Sequence, residues 1–229
     1  IAVGGADTSY LVNTDDYSLE GLSGIAGPVH FLPDGDELFV IDGYPFRPAI
    51  YNIQERRIVA LFPGVSHQMC WCLESSRDQR YIAASYPSWG VEVYESSDNE
   101  SSDLLIPTRT PEQTVFSMNF LNDSDHLLTA NYEGYVINWD VSQMEPLDTV
   151  INCDTTVTSL DISDSLGLIA ISDIAGRIWI LDEESFELLG KVDTTNWVGM
   201  NGIWSTRFDP NSSMLAIGRN DNSISLYDL

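Results

Sequence analysis

Five stretches of this chain repeat one pattern at a nearly fixed interval. The clearest copy, Gly167 to Asp182, reads Gly-Leu-Ile-Ala-Ile-Ser-Asp-Ile-Ala-Gly-Arg-Ile-Trp-Ile-Leu-Asp. Two others run from His126 to Asp140 and from Met214 to Asp228. Each is a short apolar run, a polar turn with Gly or Asn, then an alternating run that ends in an apolar residue and Asp. Weaker copies end at Tyr51-Asn52 and Tyr94-Glu95. The closing apolar residues are Tyr51, Tyr94, Trp139, Leu181 and Tyr227, at steps of 43, 45, 42 and 46 residues.

A period of about 40–45 residues with four strands per unit is the mark of a propeller blade. The fold class expected is therefore all-β, a β-propeller of four-stranded antiparallel blades. About five to six blades fall in this chain, as part of a seven-bladed ring. Residues 1–229 read as a single propeller segment. Partial blades at 1–26 and 198–229 flank complete ones at 27–66, 67–112, 113–153 and 154–197. Apolar alternation bounded by Gly, Asp and Asn places the strands of the first complete blade at Val29–Leu32, Glu37–Ile41, Ala49–Ile53 and Arg57–Phe62. The next blade takes Met69–Leu73, Tyr81–Ser85, Val91–Tyr94 and Leu104–Ile106. Its outer connection from Glu95 to Asp103 is a polar acidic tract without an apolar anchor, which predicts mobility. Each end of the chain offers three strands, too many for one closing blade, and Ile1 reads as a trimmed start. The sequence is thus expected to be a piece of a larger ring, the alternative being a six-bladed ring with two strands absent.

Trp139-Asp140, with its degenerate forms Leu181-Asp182 and Tyr227-Asp228, resembles the dipeptide that names the WD40-repeat family. The resemblance covers essentially the whole chain and draws its specificity from recurrence. It implies a rigid scaffold for protein–protein contacts, as a subunit of a larger complex. The family's Gly-His pair ahead of each blade is missing. His30, His67 and His126 fall at unrelated positions, so a histidine-based network bracing the blades is not expected.

Ten basic residues face 35 acidic ones, for a net charge of −25, and Lys191 is the sole lysine. Such a surface repels nucleic acid and anionic lipid, so direct binding to nucleic acid is not expected. The acidity reads either as solubility or adaptation to salt, or as a platform for a basic partner. Short apolar runs leave no membrane span. Cys70, Cys72 and Cys153 form no framework. The first two share a strand face too closely for a disulfide and lack the further ligands of a zinc site, so all three read as small core residues. Their number is compatible with a reducing compartment, and a cytoplasmic or nuclear location is expected.

No motif for catalysis, cofactor binding or metal binding is present. Asp34-Gly35-Asp36 is spaced as a hairpin turn rather than a calcium loop. The function expected is a non-catalytic interaction scaffold that takes a peptide or partner domain on one loop face. That face collects the turns between second and third strands and the connections between blades. It supplies Tyr44, Phe46, Arg47, Tyr86, Trp89 and Tyr132 from turns, and Arg109 and Trp197 from connections. Exposed Tyr, Trp and Arg suit binding hot spots. The competing reading for these aromatics is that they pack down over the blade edge. The competing function is a propeller enzyme, or a small-molecule or metal binder, using innermost strands. His30, Asp161 and Arg207 are the ionisable residues expected there.

Overall fold

A computed structural model describes residues 1–4, 8–22, 24–43, 46–63, 69–87, 90–96, 103–107, 114–193, 202–210 and 213–229. All regular structure among them is antiparallel β, arranged as six sheets in chain order. The chain divides into two compact units, Ile1–Thr114 and Val115–Leu229.

In the first unit, sheet 1 contains β1 (Ala2–Val3), β2 (Ser9–Val12) and β3 (Leu19–Leu22). Sheet 2 contains β4 (Ile25–Phe31), β5 (Glu37–Asp42), β6 (Arg47–Asn52) and β7 (Arg57–Leu61). Sheet 3 contains β8 (Cys72–Ser75), β9 (Tyr81–Tyr86), β10 (Gly90–Glu95) and β11 (Asp103–Pro107). In the second unit, sheet 4 is β12 (Val115–Phe120), β13 (His126–Asn131), β14 (Tyr135–Asp140) and β15 (Glu145–Asn152). Sheet 5 is β16 (Val157–Ser163), β17 (Leu168–Asp173), β18 (Arg177–Asp182) and β19 (Leu188–Asp193). Sheet 6 is β20 (Ile203–Phe208), β21 (Met214–Arg219) and β22 (Ile224–Asp228). Strands pair in chain order, so each sheet is a meander of the kind a propeller blade requires.

The second strand of sheets 2 to 5 is buried on both faces, which explains its continuous apolar run. Within the first unit, Leu38 and Val40 pack with Leu22 of sheet 1, while Phe39 and Ile41 pack with Leu73, Ile82 and Tyr94 of sheet 3. The second unit repeats the arrangement. Leu128 and Val136 of sheet 4 meet Ile169 and Ile171 of sheet 5, and Ile178 and Ile180 meet Leu215 and Ile217 of sheet 6.

The recurring apolar-plus-Asp ending has a local cause. Asn52, Asp140 and Asp182 each cap the turn into the fourth strand. Their Oδ1 accepts the N–H three residues on, from Glu55 at 2.9 Å, Gln143 at 2.9 Å and Ser185 at 2.8 Å. The next residue then turns left-handed at φ 53°, 55° and 57° in Arg56, Met144 and Phe186. A short polar side chain that bonds its own backbone is what such a turn needs.

The first hairpins are equally uniform. Asp34, Asp78 and Asp123 accept the N–H two residues on, at 3.2, 3.0 and 3.1 Å, and the turns close at Leu32–Glu37, Ser76–Tyr81 and Leu121–His126. Asp34-Gly35-Asp36 is thus a hairpin turn, with Gly35 at φ 78°. The acidic tract at 97–102 lies outside the described residues, and so does His67.

Most strand ends fall within three residues of expectation. The largest differences are β4, expected at Val29–Leu32 and found at Ile25–Phe31, and β8, expected at Met69–Leu73 and found at Cys72–Ser75. Cys70 and Cys153 are buried and Cys72 half-buried, all as free thiols. Burial pushes the Cys70 thiol well up and that of Cys153 up to about 12, so both are inert as nucleophiles near neutral pH.

Candidate functional site

Antiparallel meanders place the starts of first and third strands, and the turns between second and third strands, at one end of every sheet. In sheet 4 that turn is Asn131–Tyr135. Asn131 Oδ1 accepts the Tyr135 N–H at 2.9 Å, and the Gly134 N–H donates to the Asn131 carbonyl at 3.2 Å. Gly134 sits at φ 97°, and a Cβ there would stand 2.6 Å from the Thr155 carbonyl oxygen. The turn is therefore seated directly on the connection to the next sheet, where the Cys153 N–H also donates to the Gly134 carbonyl at 2.9 Å. Tyr132 projects from it, 51% exposed, with its ring 6.3 Å from that of Phe116 and tilted by 38°.

In sheet 5 the corresponding turn is braced from below. Buried Asp173 accepts the Arg177 backbone N–H at 2.8 Å and its Nε at 2.6 Å, while Arg177 Nη2 donates to the Cys153 carbonyl at 2.6 Å. In sheet 4 the Trp139 indole donates to Thr129 Oγ1 at 2.9 Å. These contacts brace the second unit with aspartate, arginine, threonine and tryptophan.

The residues expected at this end have different fates. Tyr132 is exposed. Arg47 opens β6 opposite Asp42 and is half-buried. Phe46, at φ 60°, packs against the core cluster of sheets 2 and 3. Tyr86 differs from expectation: β9 runs through it, and its ring is 0% exposed in the same cluster, so it is a core residue and no anchor. Tyr44, Trp89, Arg109 and Trp197 lie outside the described residues.

Two features at the first strands go beyond the sequence reading. A bulge recurs where the strand begins, between Val115 and Ser117, Val157 and Ser159, and Ile203 and Ser205. The extra residue is Phe116, Thr158 or Trp204, re-aimed by the bulge. Thr158 Oγ1 donates to the Ile203 carbonyl of the following sheet, and Trp204 is 54% exposed. In the first unit Trp71, just ahead of β8, is 52% exposed. The signal was an aromatic or Thr residue followed by Ser or Cys at the head of each repeat.

The second feature is a polar residue at one register. His30, Glu74, Asn119, Asp161 and Arg207 face Phe39, Ala83, Leu128, Ala170 and Ala216 of their second strands. Their steps of 44, 45, 42 and 46 residues follow the repeat. Within the first unit His30 Nε2 lies 2.9 Å from Ser75 Oγ and 3.5 Å from Glu74 Oε1. In the second, Arg207 Nη1 lies 3.2 Å from Asp161 Oδ1. Of the five, His30, Asp161 and Arg207 were expected. Glu74 was missed because β8 begins later than its apolar pattern suggested, and Asn119 because it carries no charge.

A cavity of about 410 Å³ opens beside Asp161, Ser163, Asp164, Arg207 and Phe208. Asp161 is already committed there, with Oδ1 to Arg207 and Oδ2 accepting the Phe208 N–H at 2.7 Å. Among the described residues no three His, Cys, Asp or Glu side chains gather to hold a metal ion, and no helix is long and apolar enough to cross a membrane.

Comparison with known proteins agrees with this geometry. The family described as "WD domain, G-beta repeat" matches residues 194–228. The E3 ubiquitin-protein ligase COP1 of Arabidopsis thaliana is 26% identical over 168 residues, covering 69% of this chain and 24% of COP1. The chain thus spans about a quarter of that relative's length. Among solved structures, a chain of the mitotic checkpoint complex superposes with a TM-score of 0.78 at 17% identity, over 100% of this chain and 72% of that one. At that identity the likeness speaks for the fold alone.

Proposed function

We propose, for a chain that belongs to the WD40-repeat family, a non-catalytic role as an interaction scaffold. A peptide or partner domain engages the end of the sheets that carries the turns between second and third strands. The observation that carries this reading is the Asn131–Tyr135 turn, held rigid by Asn131 and by the contact of Gly134 with Thr155, which presents an exposed tyrosine. A pre-ordered aromatic loses little entropy on binding, which is why Tyr, Trp and Arg dominate hot spots. Arg47, Tyr44, Trp89, Arg109 and Trp197 are proposed as further partner contacts. The net charge of −25 favours a basic partner and disfavours nucleic acid. Membership of a larger complex is the working context we propose.

A small-molecule or catalytic site on the first strands has weaker support. Asp161 Oδ1 accepts from Arg207 and Oδ2 from the Phe208 N–H, contacts that tie two first strands together and account for the residue structurally.

The test is affinity purification of the natural protein from its source at low and high salt, with mass spectrometry. A stoichiometric partner that disappears with Tyr132→Ala and Trp89→Ala supports the scaffold reading and its face. A partner retained by both variants would place the contact elsewhere.

A further inference from the structure

The ring pair Phe116–Tyr132 does not stand in neutral surroundings. Glu133 follows Tyr132 in the same turn and is exposed. Asp154 is exposed as well, at φ 58°, between Cys153 and Thr155. Both of those residues touch Gly134: Cys153 through its N–H, and Thr155 through the backbone that a Cβ would strike. Asp154 is itself fixed, its N–H donating to Asn152 Oδ1 at 2.9 Å. Two acidic residues therefore stand beside one aromatic pair, of which Tyr132 is exposed and Phe116 half-buried, and neither forms an ion pair among the described residues. Two cations close to Cys153 are committed: Arg177 to Asp173 and the Cys153 carbonyl, and Lys191 over the Trp179 ring at 5.0 Å.

From this we infer that Phe116, Tyr132, Glu133 and Asp154 form a seat for an arginine side chain of the partner. The inference rests on the scaffold reading and names the chemistry of its ligand. A planar guanidinium stacks on an aromatic face and pairs in a forked geometry with a carboxylate, and it sheds water more readily than an ammonium. Arginine therefore fits the combination of ring and acid better than lysine. The surrounding charge acts in the same direction, since residues 115–229 carry 18 acidic side chains against 4 basic ones. Such a field speeds the approach of a basic segment, whereas the rings and the two carboxylates choose its side chain.

The experiment titrates the intact protein with the blocked tripeptide Gly-Arg-Gly, followed by the aromatic ring signals in nuclear magnetic resonance. Its citrulline analogue, which keeps the shape and loses the charge, is the control. The expected result is a saturable shift of the Phe116 and Tyr132 rings with the arginine peptide. It should vanish in Tyr132→Ala, persist in Tyr132→Phe and weaken in Glu133→Gln. Citrulline should leave the rings unmoved. Equal shifts with citrulline, or shifts spread over the acidic surface without favouring these rings, would overturn the seat. Tyr132 is exposed, so its variants keep the fold, and an unchanged spectrum elsewhere verifies it. A partner lost on Tyr132→Ala from a protein that ignores the arginine peptide overturns the seat while the scaffold stands. Specific arginine binding in a protein whose partner is indifferent to Tyr132 confirms the seat and removes the scaffold reading of this face.

Discussion

Arg207 Nη1 lies 3.2 Å from Asp161 Oδ1, joining two neighbouring first strands at one register, while Asp161 Oδ2 accepts the Phe208 N–H at 2.7 Å. The pair links sheet 5 to sheet 6 through a carboxylate that has left most of its water. Desolvation raises the Asp161 pKa above 3.8, and Arg207 offsets only part of that. A carboxyl with a raised folded pKa contributes stability that is complete below the unfolded value and is lost as pH rises through the folded one. The stability of the wild type relative to Asp161→Asn should therefore fall as pH rises from below 3.8, and level off above the folded pKa. Urea unfolding of both proteins across that range measures it. A relative stability that climbed with pH would mean that Arg207 outweighs burial.

Ile178 and Ile224 occupy the same register, opposite Ser172 and Gly218. Ile178 is 1% exposed beneath sheet 6, whereas Ile224 is 77% exposed. Ile178→Ala should cost about 2–5 kcal/mol as a buried truncation, and Ile224→Ala no more than about 0.5 kcal/mol. Chemical denaturation of the two variants decides it. Equal costs would show that something covers Ile224 in solution.

Asp182 holds the Ser185 backbone N–H and hydroxyl, each at 2.8 Å, and those bonds pull its pKa down. A depressed carboxyl gives stability above its unfolded pKa and loses it as pH falls through the folded one. Asp182→Ala should lower the melting temperature at neutral pH. Asp182→Asn should largely keep it, because Asn52 caps the equivalent turn in sheet 2. An asparagine variant as unstable as the alanine one would deny the cap its role.

Ser172 Oγ is buried and has no hydrogen-bond partner among the described residues, and Ser85 Oγ at the same register in sheet 3 is alike. Sheet 4 carries Ala130 there. Removing an unsatisfied buried hydroxyl recovers its desolvation cost, so Ser172→Ala should be neutral or stabilising by up to about 1 kcal/mol. A loss above that in thermal unfolding would reveal a bound water or partner at the hydroxyl.

What could be read from the chain before folding is what neighbours within a few residues decide. The strand order, the hairpin at Asp34-Gly35-Asp36 and the terminal Asp of each repeat all follow from apolar period and short side chain to backbone bonds, which act over two to four positions. Tyr86 and Tyr132 show where that reach ends. Both stand beside a turn between second and third strands, but β9 carries Tyr86 into the core of sheets 2 and 3, while the seating of Gly134 on Thr155 leaves Tyr132 outside. The polar register from His30 to Arg207 followed the repeat in the sequence all along. Only the bulges and the true start of β8 aligned it, because register is a property of strand pairs. Composition could not separate Ile178 from Ile224, since burial depends on whether another sheet lies across the residue. The sequence by itself determined the repeat, its turns and its charge. Which aromatics stand exposed and which are core was settled only on folding, because that depends on contacts between sheets 42 to 47 residues apart in the chain.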